Sequence, residues 1–378
     1  MNLSVKRHIP LLSLCALLLA GTLLAAFSPP PQASLQLSAQ SILDNSFSVN
    51  LESYIAARVP LHAQQKQLAF ALDLFGGRRE LDGVIVGNTT LLKTPGSLNP
   101  GVANSNTGAI LDFSAYCRSI DLPVYMTLIP TSSEILREEL PPFYSSISQR
   151  SFIDGIYNRA SGQLSSIDTY APLLAARRDY IYYRTENNLT STGGFIVFQA
   201  LAGRMLNVSG LSPNQFELLY ADQSFYGDLY KLAPAPGIAP DILTLPYYSR
   251  YNRTYTITHY QPGGTRIYHS LYPRHLLDLD QGSAVYLGGL SAVTDIQTSA
   301  PYSRKLLLFS DATAQSYLPY LLNYYGQITV VDLFHNTARY TSISPQQYDQ
   351  VLIAYSTETY MNNSYLSQIQ GFIPADQP

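Results

Sequence analysis

The sequence predicts an α/β domain of three layers (α/β/α) with a mostly parallel sheet, preceded by an N-terminal transmembrane or signal helix. Three observations carry this expectation. Short apolar or β-branched runs bounded by Gly, Pro, Asn or Ser recur from Leu81 onward. Stretches of helical periodicity lie between several of them, the alternation that builds parallel sheets. An uncharged, mostly apolar run, Ile9 to Phe27, sits near the start of the chain and is about long enough to cross a bilayer.

That run follows Lys6, Arg7 and His8, so the positive-inside rule places the bulk of the chain outside the membrane. It reads as an uncleaved anchor. The alternative is a signal peptide cleaved near Leu24-Ala25-Ala26-Phe27-Ser28, a poor match to a small-residue exit. Leu14 before Cys15 argues against a lipoprotein. The only other cysteine is Cys117, so the exported part carries no disulfide framework, and Cys117 reads as a small buried apolar residue. Ser28-Pro29-Pro30-Pro31-Gln32 is a stiff linker. The predicted organisation is residues 1–28 as signal anchor or signal peptide, 29–80 as proline linker and helical lead-in, and 81–372 as the α/β domain.

Within the lead-in, Ser41 to Ala71 reads mainly as helix, interrupted near Pro60. Beyond it, strands are expected at Val84–Val86, Val124–Ile129, Tyr180–Tyr183, Ala284–Leu287, Lys305–Phe309, Ile328–Leu333 and Val351–Tyr355. Helices are expected at Asn106–Ile120, Ser151–Ala160, Thr192–Leu206 and Thr313–Tyr325. Tyr226 to Pro273, rich in Pro, Gly, Tyr and Asn, reads as an irregular excursion at a sheet edge or over its rim. With 46% apolar and only 13% charged residues the chain can bury a core. A net charge of −3 without a basic stripe argues against nucleic acid. Thirty tyrosines read first as half-exposed strand and surface positions, with a saccharide-contacting surface as the functional alternative.

Open parallel sheets bind ligands beyond the carboxyl ends of their strands. Three predicted strand exits are therefore candidate site segments: Arg184 to Thr190, Gly288-Gly289-Leu290, and Ser310-Asp311-Ala312-Thr313. No His/Cys/carboxylate spacing suits a metal, and no phosphate loop is present, so no cofactor is expected.

These segments resemble the bacterial DHHW family of SGNH-hydrolase-like proteins. Tyr182-Tyr183-Arg184-Thr185-Glu186-Asn187-Asn188-Leu189 is similar to the family's Tyr-Tyr-x-Thr strand and its Asp-His-His-Trp motif, changed here to Glu-Asn-Asn-Leu. Ser310-Asp311-Ala312-Thr313-Ala314 resembles Lys-Asp-Ser-Tyr-Ala, and Gly288-Gly289-Leu290 resembles Gly-Gly-Asn. Tyr54 to His62, Gly83 to Gly87, Leu128 to Thr131, Phe225 to Tyr230 and Pro240-Asp241-Ile242 follow the family pattern in order, as do Val330 to Leu333 and Gln350 to Ile353.

The resemblance implies an SGNH-like fold related to the periplasmic alginate O-acetylation proteins, with a serine–histidine–aspartate triad at the strand exits. Carried over, the triad positions hold Ala312, Asn188 and Glu186. Ala312 lacks a hydroxyl and Asn188 cannot relay a proton, which triad chemistry requires. The expected protein is thus a membrane-tethered envelope protein that binds rather than cleaves, through Glu186, Asn187, Asn188, Gly289, Leu290, Asp311 and Thr313. A solvated turn at Glu186–Asn188 is the plainer reading. Its expected partners are a cell-surface glycan and a membrane-bound O-acyltransferase, in the context of polysaccharide modification. The alternatives are an active esterase or polysaccharide O-acetyltransferase with a rearranged site, for which Ser310, Thr313, Ser316 and His335 are the replacement groups, and a purely structural envelope protein.

Overall fold

In the computed structural model the described residues are 62–94, 98–142, 144, 148–208, 211–248, 252–261, 264–277, 282–334 and 342–374. The chain divides into two compact units between Arg78 and Arg79. Of the first unit, the described part is essentially one helix, α1 (His62–Phe75), the end of the predicted lead-in. The expected span Ile9–Phe27 and the proline linker lie outside the described residues. Among the described residues no helix is long and apolar enough to cross a membrane.

The second unit opens with a small antiparallel sheet of β1 (Glu80–Leu81), β2 (Val84–Val86) and β3 (Leu91–Lys93). There follow α2 (Pro100–Ser119), β4 (Val124–Ile129), α3 (Ser132–Ile135), α4 (Gln149–Ala160), β5 (Ser165–Ser166), α5 (Tyr170–Ala175) and α6 (Ser191–Met205). The chain continues through β6 (Phe216–Phe225), α7 (Asp228–Leu232), β7 (Asp241–Tyr248), β8 (Tyr255–Gln261), β9 (Gly264–Tyr268) and β10 (Val293–Thr298). It closes with β11 (Lys305–Ser310), α8 (Ala314–Leu321), β12 (Gln327–Val331), β13 (Gln350–Ser356) and α9 (Thr357–Asn362).

The central sheet has eight strands in the order β5-β4-β13-β11-β12-β10-β8-β9. The first five pair in parallel, whereas β10, β8 and β9 add on antiparallel. The fold is therefore mixed α/β, with its parallel half where the sequence placed it. Leu306–Phe309 and Val351–Ala354 are buried without alternation, as strands covered on both faces should be. Phe309 of β11 meets Phe113 of α2 edge-on at 5.5 Å. Helices α6 and α8 pack together through Phe198 and Tyr320, whose rings stack at 5.6 Å.

Two expected strands are absent. Tyr180–Tyr183 makes only an isolated bridge, Tyr182 to Leu189. Its backbone closes on its own loop, with Tyr183 N donating to Asn188 O and Thr190 N to Ile181 O. Ala284–Leu287 is a short 3-10 turn running into three successive left-handed residues, Leu287, Gly288 and Gly289. Its apolar residues face the core, but that backbone cannot join a ladder. Conversely, Tyr226–Pro273 is not irregular: it holds β7, β8 and β9. In β8 the buried Ile257 and His259 alternate with half-exposed Thr256, Thr258 and Tyr260, a period-two signal masked by the Pro, Gly and Asn around it. The helix expected at Thr313–Tyr325 spans only Ala314–Leu321.

Candidate functional site at the strand exits

The exits of β11 and β13 are tied by Asp311. Its Oδ2 accepts from Ser356 N at 3.0 Å. Its Oδ1 accepts from Thr313 N at 3.1 Å and Thr313 Oγ1 at 2.5 Å. The polar atoms of Asp311 and Thr313 are thus used in shaping the turn into α8. Ser310 is fully buried, its Oγ donating to Ala354 O at 2.6 Å and lying 3.1 Å from the Tyr317 hydroxyl. Ala312, at the apex of the turn, is exposed.

The 180–190 loop is held by Asp241 of β7, a fully buried carboxylate that the residue-by-residue reading of the sequence did not single out as a site. Its oxygens accept from Arg184 N at 2.7 Å, Thr185 N at 2.8 Å, Thr185 Oγ1 and the Tyr180 hydroxyl. The loop then reaches β11: Asn188 Nδ2 donates to the carbonyl of Ala312 at 3.3 Å. Two positions 124 residues apart are in hydrogen-bond contact. Glu186 does not orient Asn188. Its Oε1 accepts from Asn187 N and its Oε2 from Asp228 N, both at 3.0 Å, and Gly227 permits that approach because a Cβ there would lie 2.5 Å from Glu186 Cβ. Burial raises the Glu186 pKa, and the two backbone donors oppose the shift. Asn187 is half-buried beside it.

Glu186 and Asn188 line a pocket of about 10 Å³, together with Tyr183, Phe225, Tyr286 and Ser316. That is room for about one water. Tyr286 comes from the Gly288-Gly289 loop, and its hydroxyl donates to Thr244 O. Burial pushes its pKa up to about 12, so it stays a neutral donor. Leu290 is half-buried against the core, and neither it nor Gly289 lines this pocket. Ser316 Oγ donates to Thr313 O at 2.8 Å.

Among the described residues no histidine lines this pocket. His259 is buried in β8, with Nε2 against Leu287 O at 2.8 Å and Nδ1 against Thr294 Oγ1 at 3.2 Å. Burial lowers its pKa. His335 lies outside the described residues. Among the described residues no three His, Cys, Asp or Glu side chains cluster to hold a metal.

A larger recess of about 320 Å³ opens beside the loop, lined by Arg177, Arg178 and Arg184 together with Glu138 and Glu139. The Arg184 guanidinium lies 4.5 Å over the Tyr180 ring, and Glu139 is fixed by Thr89 N and Oγ1. Arg184 on the Tyr180 ring and Glu139 on Thr89 give the recess fixed groups of both charges, which suits a polar ligand.

No family model and no curated protein matches the chain in sequence. Solved structures do match in fold. A DHHW family protein from Eubacterium siraeum superposes with a TM-score of 0.63 at 19% identity, over 79% of this chain and 98% of that one. The chain has the fold of a DHHW family protein. The PatB1 protein of Bacillus cereus, in a structure with a sulfonyl adduct, is similar at a TM-score of 0.61 and 16% identity, over 76% of this chain and 98% of its own. At these identities the likeness is one of fold, and the resemblance read from the motifs holds at that level. On this DHHW-like fold, Asn188 and Ala312 meet at the parallel strand exits, whereas Leu290 does not line the pocket beside Asn188.

Proposed function

We propose that this chain is an exported, membrane-tethered protein of the bacterial cell envelope that binds rather than transforms its ligand. Its domain is SGNH-like, in three α/β/α layers, and it is an accessory to cell-surface polysaccharide modification. The observation that carries the reading is the Asn188–Ala312 contact: an amide bonded to a backbone carbonyl, where triad chemistry would need an imidazole bonded to a hydroxyl. The pocket beside Asn188, about 10 Å³, supports it, because it has room for about one water and offers no preformed seat for an acyl group. The neighbouring recess, lined by arginines and glutamates, is where a polar glycan segment or the face of a membrane acyltransferase would bind.

The test is hydrolysis of an activated acetyl ester by the purified full-length chain. The expected rate is background, since loss of the nucleophile or base from a triad costs on the order of a millionfold. One observation favours a second reading, a rearranged enzyme: Ser316 lines the same pocket as the carboxylate of Glu186, whose pKa is raised by burial. Turnover well above background that disappears in Ser316→Ala would replace the first reading with this one.

A further inference from the structure

A second recess lies at the other end of the sheet. The residue Tyr255 of β8 pairs with Thr298 of β10, and Gln297 pairs with Gln327, where β12 begins. Tyr247 and Tyr248 end β7, whose first residue, Asp241, anchors the strand-exit loop. Tyr247, Tyr248 and Tyr255 line a recess of about 470 Å³, within the ~300–1,000 Å³ range of small-molecule sites. All three are half-buried, so each keeps ring surface open to the recess.

Two of the rings pack against buried aromatics. Tyr247 meets the buried Tyr272 edge-on at 5.0 Å, and the Tyr272 hydroxyl donates to Pro246 O at 2.5 Å. Tyr248 packs 5.4 Å from buried Phe216. Such rings lose little freedom on binding, which favours affinity. The other lining groups are mostly polar: Glu217, Asn252, Arg253, His269 and Ser270, with only Leu219 and Leu271 aliphatic. Arg253 is itself positioned by Nη1 donating to Ser299 O at 3.2 Å.

This is a surface with two chemistries. Aromatic faces suit the C–H faces of pyranose rings, and planar amide, guanidinium, imidazole and carboxylate groups suit their hydroxyls. One guanidinium and one carboxylate cancel in charge, so no ionic group is demanded of the ligand. Two leucines are too few to seat an acyl chain.

We infer that this recess binds an uncharged saccharide, with Tyr247, Tyr248 and Tyr255 as the stacking platform and Asn252, Arg253, His269 and Glu217 as the hydrogen-bonding rim. The inference is independent of whether the strand-exit site is silent.

The experiment is saturation-transfer NMR on the full-length chain in a sugar-free detergent, with cellotetraose, maltotetraose and chitotetraose, and tetragalacturonate as the anionic comparator. At least one neutral tetrasaccharide should receive saturation. Tyr248→Ala and Tyr255→Ala should each weaken its binding about tenfold, about 1.4 kcal/mol. Tyr255→Phe should bind nearly as the parent, since the ring face remains. The exposed Tyr220, which does not line the recess, should tolerate Tyr220→Ala without effect. Should the alanine variants at Tyr248 or Tyr255 fail to fold, Asn252→Ala and His269→Ala report instead, because both residues are exposed. Three results would overturn the inference: no transfer to any neutral tetrasaccharide, transfer only to tetragalacturonate, or binding unchanged in folded recess variants.

Discussion

Asp241 shows how one residue organises a site it does not visibly belong to. Its carboxylate satisfies two backbone donors, a threonine hydroxyl and a tyrosine hydroxyl in a fully buried position. Asp241→Ala orphans the donors of Arg184 and Thr185 and should cost about 3–4 kcal/mol. Asp241→Asn, which keeps one acceptor oxygen, should cost about half of that, both read from urea unfolding midpoints. Cys117 is the inert counterpart. It is fully buried in α2, and burial pushes its thiol up to about 12. In a Cys15→Ser background, a thiol reagent should leave the native protein unlabelled and label it once in denaturant; rapid native labelling would contradict that burial. His259 carries a pH dependence. Its folded pKa is lowered, so the unfolded state binds the extra proton. Its contribution is therefore complete above the unfolded value, ~6.5, and is lost as pH falls below it toward the folded value. The fall in melting temperature on acidification from about pH 6.5 should be shallower in His259→Gln.

At the scale of elements, glycines decide whether α6 can lie against its neighbours. A Cβ on Gly194 would stand 2.0 Å from the carbonyl oxygen of Ser316 in α8. Gly194→Ala should therefore push the helices apart and cost at least about 3 kcal/mol. Gly203, near the other end of the same helix, meets its nearest atom only at 4.0 Å. There alanine should stabilise by about 0.5–1 kcal/mol through helix propensity. Chemical denaturation of the two single variants separates these opposite signs. The elements legible in the sequence are those with a strong local signal. Helix α2 has Asn99 capping Val102 N and Pro100 in its first turn, and β11 and β13 are unbroken apolar runs between polar boundaries. The misread elements, Tyr180–Tyr183 and Ala284–Leu287, are apolar runs whose hydrogen-bond partners are side chains or loop carbonyls instead of strands. Composition cannot distinguish a buried loop from a buried strand.

For the whole molecule the decisive prediction concerns the introduction of triad groups at the strand exits. Ala312→Ser alone should give no measurable esterase activity, because an unassisted hydroxyl is a weak nucleophile. Ala312→Ser with Asn188→His places the two groups at positions where the side chain of residue 188 already reaches the carbonyl of residue 312, and should raise ester hydrolysis detectably above background. Adding Glu186→Asp should add little, since that carboxylate is turned to Asp228 N and not to residue 188. A large further gain from the third substitution would show that the loop reorganises freely.

The sequence by itself determined the parallel half of the sheet, the principal helices of the α/β unit and the residue types at 312 and 188, an alanine without a hydroxyl and an asparagine without an imidazole. Those follow from local periodicity and residue type. The tertiary structure alone decided what surrounds those positions. Asn188 bonding to Ala312 O, Glu186 turning to Gly227–Asp228, Asp241 holding the loop and Leu290 standing apart all depend on contacts between distant segments. So do the collapsed pocket at the strand exits and the tyrosine recess at the other end, since a cavity is the space left after side chains from several elements have packed.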